Sequence, residues 1–542
     1  SLVDPEDIRL LSMLDPFGQV ALAEVTRYWT PFEMNSLIMP MEGNLLYNRL
    51  LTVALMALFL GAAYRYFPFS LEFVSNKRSW FSWMKRKHKT IEKEQLVVPL
   101  KSAESKVLPH SSHQSFGFYS QLAQFFSLLR IEFHNIIIGK AFLMMALIGM
   151  VQVSLSSYFG LSGIFGTEVY PTTTALVTII NGTFTIPLVV VLIFYSAELL
   201  VRERNVGMSE MIDAMPHPNW VVILAKTIGL MTVMAVMLVA AILAAILVQV
   251  LKGYYDFNIL QYLLGLFSFF QIPIWFTCVL AVFAQVLSGN RYIGMFVIVL
   301  YFAGTLFLPQ QGFDHNLYLF ATPQIPYSIF TGFGPNLSGY LWFSLYWSLF
   351  CLLLLIVTQL LWQRGSELQG RFRWASIGPR FTPAVSALTA VTLFAFVSTG
   401  SFIFYNTNVL NQKLSVIDIE QNAADYEKTY SQYEDLKFPD VVGLYTEVDF
   451  FPARSEAHIE GTYSLKNNQP VDISELHFTF PTALTLVELD IPNSLLTHSD
   501  SALGYYIYSL DSPMQPGAVM DMSFTVDWLT PGFVNSSPTT RL

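Results

Sequence analysis

The segment Val221–Val250, VVILAKTIGLMTVMAVMLVAAILAAILVQV, decides the fold class of this chain. Its only charged residue is Lys226, close to its start. A bilayer core is crossed by roughly 20 apolar residues in helical form, so this segment is long enough to span a membrane. Excess length is accommodated by tilt or by extension beyond the bilayer. The segment therefore predicts one long transmembrane helix.

The composition of the whole chain agrees with a membrane protein. It is 53% hydrophobic and only 13% charged, whereas soluble domains carry roughly 25% charged residues. A net charge of −9 argues against nucleic acid as a partner. Cys278 and Cys351 both lie in apolar runs, so neither a disulfide framework nor a cysteine metal site is expected. We predict an α-helical polytopic membrane protein.

Apolar segments of this kind recur, and together they predict eight spans. Besides Val221–Val250 they are Leu50–Phe69, Lys140–Tyr158, Thr173–Ser196, Leu260–Leu287, Ile293–Leu308, Tyr340–Trp362 and Pro383–Tyr405. Positive charge predicts their direction, because cytoplasmic loops are rich in Lys and Arg. Lys77–Lys106 holds nine such residues against three Glu. This segment and Arg202–Asn219 are therefore predicted to face the cytoplasm, and the tail after Tyr405 to lie outside.

The tail has a different character from the membrane part. From Asn406 to Leu542 there are 6 Lys and Arg against 19 Asp and Glu. Asn411–Lys437 predicts a helical spacer, and the apolar period then changes to two, which indicates strands. The predicted strands are Val441–Phe451, His458–Lys466, Ile473–Phe480, Leu484–Leu489, Ala502–Leu510 and Val519–Trp528. The tail is expected to form an extracytoplasmic all-β domain, either a sandwich or a saddle-shaped sheet.

The predicted cytoplasmic segment Ser196–Trp220 carries the most informative pattern. Met208, Met211, Ile212 and Met215 recur at helical spacing, and prolines end the helix before the next span. A methionine-rich face is adaptable and suits docking to a partner groove. A helix that only lies in the membrane interface would show the same pattern. Both interpretations stay open on composition alone.

This segment resembles the cytoplasmic loop of ABC type-2 exporter permeases. The resemblance is carried by Glu203-Arg204-x-x-Gly207-x-x-Glu210, followed by Ala214-x-Pro216 and by Lys226. It implies a coupling helix that rests on a separate ATPase subunit, which would bind ATP and Mg²⁺. It also implies that Gln121–Ile138 is an interfacial helix and Pro309–Leu337 an outer re-entrant region. The implied ATPase-coupling residues are Arg202, Glu203, Arg204, Gly207, Met208, Glu210, Met211, Ile212, Asp213 and Pro216.

Other chemistry is sparse in the membrane part. A Walker phosphate-binding motif is absent from the sequence, so ATP hydrolysis is expected only in a partner. The four polar residues at span ends are predicted to snorkel to the interface; they are His134, Lys140, Glu198 and Lys226. Since no acidic residue or His falls at mid-membrane, ion coupling is disfavoured. Pro187 and Pro273 are predicted to kink their spans.

The tail resembles the N-terminal β-domain of aminopeptidase N-like zinc metallopeptidases. Asp449-Phe450-Phe451, Gly461-Thr462-Tyr463-Ser464-Leu465 and Met514-Gln515-Pro516-Gly517 carry this resemblance. H-E-x-x-H, which would place two His on one metal, is absent. We therefore assign no catalytic or metal residue, and zinc is expected only if a catalytic domain follows. His458, His477 and His498 are interpreted as structural, and Glu447, Asp449, Glu456 and Glu460 as a solvated acidic face, with cation binding as the alternative.

These observations divide the chain into six regions. Residues 1–73 form an outer loop and the last span of a truncated first repeat, and 74–117 a basic linker. Residues 118–364 form a six-span permease repeat, 365–405 a loop and the eighth span, 406–440 the spacer and 441–542 the β-domain. Permeases with such a domain form a bacterial type, which implies the inner membrane and a periplasmic β-domain. The predicted function is the permease subunit of an ATP-driven exporter; the alternative is a membrane-anchored aminopeptidase whose spans are only an anchor.

Overall fold

The computed structural model divides the chain into two compact units. They are Ser1–Gln114 with Ser162–Val169, and Ser115–Leu161 with Tyr170–Leu542. The structure describes residues 40–66, 117–161, 169–205, 208–329, 332–334, 337–364, 377–411, 413–452, 455–481 and 484–535. It also describes the single residues 22, 25, 26, 29, 30 and 33. In the first unit, helix α1 spans Gly43–Tyr66. It contains most of the predicted first span, whereas residues 67–69 and nearly all of the basic linker lie outside the described residues.

The second unit contains helices α2 to α14 among the described residues. In chain order they are α2 (Phe118–Ile137), α3 (Lys140–Phe159), α4 (Thr173–Thr183), α5 (Thr185–Asn205), α6 (Ser209–Asp213), α7 (Asn219–Leu251), α8 (Ile259–Tyr262), α9 (Gln271–Ser288), α10 (Arg291–Phe307), α11 (Leu337–Leu361), α12 (Ile377–Arg380), α13 (Pro383–Phe404) and α14 (Val416–Tyr430). Two π-helical segments, Leu263–Phe270 and Tyr405–Leu410, continue α8 into α9 and extend α13. The predicted helices at Gln121–Ile138 and Asn411–Lys437 correspond to α2 and α14.

Six helices of the described residues are long and apolar enough to cross a membrane. They are Lys140–Tyr158, Thr185–Glu203, Asn219–Leu251, Ile259–Ser288, Leu337–Leu361 and Pro383–Leu410. The segment at Val221–Val250 is one continuous helix, as predicted. The predicted span Ile293–Leu308 lies almost wholly within α10, which is apolar but shorter than the other six. These helices indicate a membrane protein.

The predicted span Thr173–Ser196 is wrong in its boundaries. The helix breaks at Phe184, and the long helix begins only at Thr185. Pro187 accounts for the break, because proline has no N–H for the carbonyl four residues earlier. That carbonyl belongs to Thr183, and the Gln152 side chain on α3 donates to it at 3.0 Å. A neighbouring helix thus satisfies the backbone group that the proline leaves free.

Pro273 has a similar effect in the long helical span Ile259–Ser288. The Gln271 N–H bonds the Leu266 carbonyl, five residues back. In this π-helical pattern each N–H bonds the carbonyl five residues earlier. The N–H that Pro273 lacks would therefore have bonded the Ser268 carbonyl. The Tyr340 hydroxyl on α11 donates to the Ser268 carbonyl at 2.5 Å instead. The predicted disturbance at Pro273 is therefore a π-helical segment with an inter-helical hydrogen bond.

The Tyr340 hydrogen bond leads to a testable expectation. Tyr340→Phe should lower the free energy of unfolding by about 1–2 kcal/mol, because a backbone carbonyl would be left unpaired in an apolar setting. Pro273→Ala supplies a backbone N–H, so the same tyrosine substitution should cost less in that background. Unfolding in mixed micelles measures both. An equal cost with and without Pro273 would contradict this explanation.

The core of the helical part is built around α7. Near its start, from Val221 to Leu230, almost every side chain of α7 is buried, so the helix is covered there on several sides. Further along, the buried side chains recur every three or four residues, which marks one buried face. Small residues at Ala241, Ala244 and Ala245 are fully buried and allow neighbouring helices to approach closely. The cluster they belong to includes residues of α3, α4, α5 and α9. α7 therefore contacts most of the bundle directly.

The β-domain consists of two antiparallel sheets. The strands are β1 (Asp440–Phe451), β2 (Glu456–Lys466), β3 (Ile473–Thr479), β4 (Thr485–Asp490), β5 (Ser494–Asp500), β6 (Tyr505–Met514) and β7 (Val519–Leu529). One sheet has the order β1-β2-β7-β4 and the other β3-β6-β5. Leu465 and Met522 of the first sheet form a buried cluster with Leu476 and Leu510 of the second. The predicted all-β region is confirmed, with two facing sheets.

One strand, β5, was absent from the predicted set. Its sequence, Ser-Leu-Leu-Thr-His-Ser-Asp, places two apolar residues next to each other and breaks the alternation. The structure contains a register shift between Leu496 and His498 opposite β6. A bulge of this kind turns successive side chains away from strict alternation. The period-two signal is lost for this reason.

The β-domain packs on the loop after α10 and on the helices α11 and α13. Phe533, which follows β7, forms a buried cluster with Phe343 of α11 and Ile403 of α13. Asn316 of the loop after α10 bonds Asn535 through its N–H at 3.0 Å. These contacts hold the β-domain against the helices by side-chain packing as well as by the spacer.

His315 fixes the same loop to the end of the last span. Its Nδ1 accepts the Leu317 N–H at 3.1 Å, and its Nε2 lies 3.0 Å from the Thr407 hydroxyl. Burial, together with the charge of Lys413, lowers the pKa of His315 to about 4. A neutral ring is needed to accept the Leu317 N–H, so the lowered pKa matches the geometry. Asp314 and Lys413 form an ion pair of 2.6 Å beside it.

Candidate functional site

The candidate site is the short segment between α5 and α7. α6 is a single helical turn begun by Met208, whose carbonyl accepts the Ile212 N–H at 3.1 Å. Met208, Met211 and Met215 are 48%, 66% and 51% exposed. We call these three side chains the methionine face. An exposed apolar surface of this kind is costly in water and is typical of a contact surface.

A group of four charges lies next to this segment, with Lys226 and Glu132 buried and Arg202 and Glu203 partly exposed. Lys226 of α7 bonds Glu132 Oε1 of α2 at 3.0 Å and Glu203 Oε1 of α5 at 2.8 Å. Arg202 bonds the other oxygen of Glu132 at 2.9 Å. We call Glu132, Arg202, Glu203 and Lys226 the inner clamp. It joins three helices, α2, α5 and α7, through charged side chains.

Burial makes the inner clamp energetically important. The Lys226 side chain is 2% exposed and that of Glu132 is 5% exposed. Lys226 also donates to the Leu199 carbonyl at 2.7 Å, so all three of its N–H groups have a partner. Two positive and two negative groups give a formal charge of zero. Charges are tolerated in such a place only when they are paired and hydrogen-bonded.

The prediction that Lys226 snorkels to the interface is wrong. Its ammonium group faces inward because two carboxylates from neighbouring helices and a carbonyl surround it. His134, Lys140 and Glu198, the other three residues of that prediction, are exposed. Partner availability decides the difference, since carboxylates of two neighbouring helices lie within hydrogen-bond distance of Lys226.

The other end of the segment is fixed by Arg364, just after α11. Its Nη2 lies 2.7 Å from His217 Nδ1 and also donates to the His217 carbonyl. His217 Nε2 lies 3.1 Å from the Ile212 carbonyl, so this nitrogen carries the proton and Nδ1 accepts. Burial, with the charge of Arg364, lowers the pKa of His217. The neutral ring thus connects Arg364 to the end of α6.

A cleft opens between α6 and the neighbouring ends of the long helices. Its lining includes Glu203 and Asp213 on one side and Gln285, Arg291 and Trp362 on the other. Gln285 is buried against Gly294, where a Cβ atom would collide with the amide group. The close approach of α9 and α10 at this glycine shapes one wall. The cleft places α6 at the edge of the bundle with its methionine face outward.

The structure places the predicted coupling residues in three groups. Arg202 and Glu203 belong to the inner clamp, while Ile212 and Asp213 are half-buried. Glu210 and Pro216 are exposed with the methionine face. The Arg204 side chain and Gly207 lie outside the described residues.

Sequence reasoning missed Glu132, His217 and Arg364. A lone lysine inside an apolar segment is a usable signal, because it predicts that an acidic partner lies on a neighbouring helix. The sequence does not show which acidic residue that is. His217 and Arg364 are far apart in sequence, and no spacing rule joins them.

The described His, Cys, Asp and Glu side chains are the candidate metal ligands. No group of three or more His, Cys, Asp or Glu side chains is placed to hold a metal ion in that part of the chain. His458 lies between Asp527, at 2.5 Å, and Glu460, at 3.2 Å. Hydrogen bonds to these carboxylates raise its pKa.

No known family, curated protein or solved structure matches this chain.

Proposed function

We propose that this chain is the permease subunit of an ATP-driven ABC exporter of the bacterial inner membrane. A separate ATPase subunit would bind the methionine face from the cytoplasm. The β-domain would lie on the periplasmic side. It would act as a peptidase-like module that receives cargo or completes an enzyme in a longer chain. The resemblance of Glu203–Glu210 to the coupling loop of such permeases supports this proposal.

One observation carries the proposal, and it is the way α6 is held. An exposed apolar helix turn is connected at its start to Glu203 of the inner clamp, whose carbonyl accepts the Met208 N–H at 3.0 Å, and at its end to Arg364 through His217. A surface helix that only lies in the membrane interface has no use for a charged network at one end and an arginine–histidine contact at the other. A helix that transmits force requires such contacts at both ends, because they carry its displacement to the long helices instead of letting a flexible loop absorb it.

The inner clamp gives a path for that force. Movement of α6 would be carried to α5 directly and to α7 and α2 through Lys226 and Glu132. It would reach α11 through His217 and Arg364. Since α7 contacts most of the bundle, its displacement would reach helices on every side of it. The bundle could thereby alternate between inward-open and outward-open states as the ATPase partner cycles.

The binding step can be tested by co-purification with an ABC ATPase subunit from the same genome. Replacing all three residues of the methionine face with serine should weaken association at least about thirtyfold, since apolar anchors at a contact cost 2 kcal/mol or more when lost. Met144→Ser is the matched control, because Met144 is equally exposed but lies on α3, away from the segment. It should bind as the native chain does.

Two results would overturn the proposal. One is equal binding by the serine variant and the native chain. The other is that no ABC ATPase of the genome associates with the chain. The spans would then be better explained as an anchor for the outer domain, as in the aminopeptidase alternative.

A further inference from the structure

The first strand of the β-domain has an open edge. β1 is the outermost strand of its sheet and pairs only with β2 among the described residues. It spans Asp440–Phe451 and is exposed over nearly its whole length. Natural edge strands are usually protected by Lys, Pro or shortness, and β1 has neither Lys nor Pro and is the longest strand of the sheet. The outer backbone edge of residues 443–450 therefore faces no other strand among the described residues.

One face of β1 is apolar and uncovered. Leu444, Val448 and Phe450 lie opposite Tyr463, Ile459 and Ala457 of β2, on the side that faces the second sheet. Leu444, Val448 and Phe450 are 56%, 36% and 71% exposed, and no residue of β1 enters a buried cluster of the described residues. A row of apolar side chains is left there beside the open backbone edge.

The opposite face of β1 is acidic. Glu447 lies directly across from Glu460, and Asp449 from His458, whose other neighbour is Asp527. Like charges across a strand pair are unfavourable unless a cation lies between them. Four carboxylates around one His leave this face negative even when His458 is protonated. Lys or Arg side chains added alongside would relieve this repulsion.

We propose that β1 binds an extended peptide segment in which apolar side chains alternate with Lys or Arg. The segment would add a fifth strand to the sheet and supply hydrogen bonds along the open edge. Its apolar side chains would cover Leu444, Val448 and Phe450. Its basic side chains would lie beside Glu447 and Asp449. The alternation of β1 itself thus defines the chemistry of its partner.

A second copy of β1 fits this edge less well. In an antiparallel pair of identical strands, the register that sets Leu444 of one copy opposite Phe450 of the other places Glu447 directly opposite Glu447. An anionic lipid surface meets the same repulsion. The charge of the edge therefore favours a basic peptide over either occupant.

Amide hydrogen exchange on the detergent-purified full chain tests this proposal. The probe is a short blocked peptide of alternating lysine and valine, and its counterpart replaces lysine with glutamate. The lysine peptide should slow exchange within β1, whereas the glutamate peptide should not. Glu447→Gln with Asp449→Asn should weaken binding at least about threefold, because two exposed charge pairs are lost. Phe450→Ser should weaken it similarly.

Val487→Ser is the matched control, since Val487 is an exposed residue of β4, the opposite edge strand of the same sheet. It should leave peptide binding unchanged. Equal binding of both peptides, protection outside β1, or cross-linking of β1 to a second copy would overturn the proposal. So would slower exchange in β1 on anionic vesicles without peptide. The ATPase takes no part in this experiment, so its outcome is independent of the exporter proposal.

Discussion

Lys226→Met is expected to lower the free energy of unfolding by about 3–5 kcal/mol, the range measured when one partner of a buried ion pair is removed. The substitution leaves Glu203 and the Leu199 carbonyl without the lysine, and Glu132 with only Arg202. A buried carboxylate that loses a partner keeps its full desolvation cost. Denaturation in mixed micelles, followed by tryptophan fluorescence, would measure the loss.

Lys252→Met provides the matched control for this prediction. Lys252 lies at the other end of the same helix, where its ammonium group is 4.9 Å from the centre of the Tyr158 ring. A partly exposed contact of this type is worth about 0.5–1 kcal/mol. A second variant, Lys226→Met with Glu132→Met, should lose less than the sum of the two single substitutions. Equal effects of Lys226→Met and Lys252→Met would show that the inner clamp is not a stabilising unit.

Arg364→Gln is expected to separate ATPase binding from the response of the helices. Hydrogen bonds from a charged group are worth about 1.5–3 kcal/mol each, and His217 would lose its connection to α11. The methionine face itself is unchanged, so binding of the ATPase should fall by less than about threefold. The nucleotide-dependent change in amide exchange at the end of α11 should largely disappear, because the path from α6 to α11 runs through His217 and Arg364.

Arg380→Gln is the control for the Arg364 variant. Arg380 also donates to carbonyls at the end of α11, those of Leu360 and Trp362, but it does not touch α6. Its replacement should leave the exchange response intact. If Arg364→Gln and Arg380→Gln behave alike, the contact with His217 does not transmit the response.

The apolar spans were largely predictable because length and hydrophobicity are local properties. The thirty-three-residue helix α7 and the amphipathic helix α2 follow directly from their sequences. The break before Thr185 was missed because Pro187 acts on a carbonyl four residues earlier, inside the apolar run. The strand Ser494–Asp500 was missed because a bulge removes its alternation.

The methionine face was predictable, whereas its fixation was not. Helical spacing brings Met208, Met211 and Met215 together within one short segment. Glu132 and Arg364 approach this segment only through the packing of α2 and α11. Such contacts depend on which helices are neighbours, and a single sequence does not contain that information in readable form. The three-dimensional structure adds the connections that turn a surface helix into a candidate coupling element.

Site-specific cross-linking from Met211→Cys to the co-purified ATPase tests the central claim most directly. The two native cysteines, Cys278 and Cys351, are buried, so a cysteine at this exposed position should react selectively. A cross-link from Met211→Cys, together with none from Met144→Cys on α3, is the result that the coupling role predicts. Formation of the complex without any cross-link from the methionine face would place the ATPase elsewhere and contradict that role.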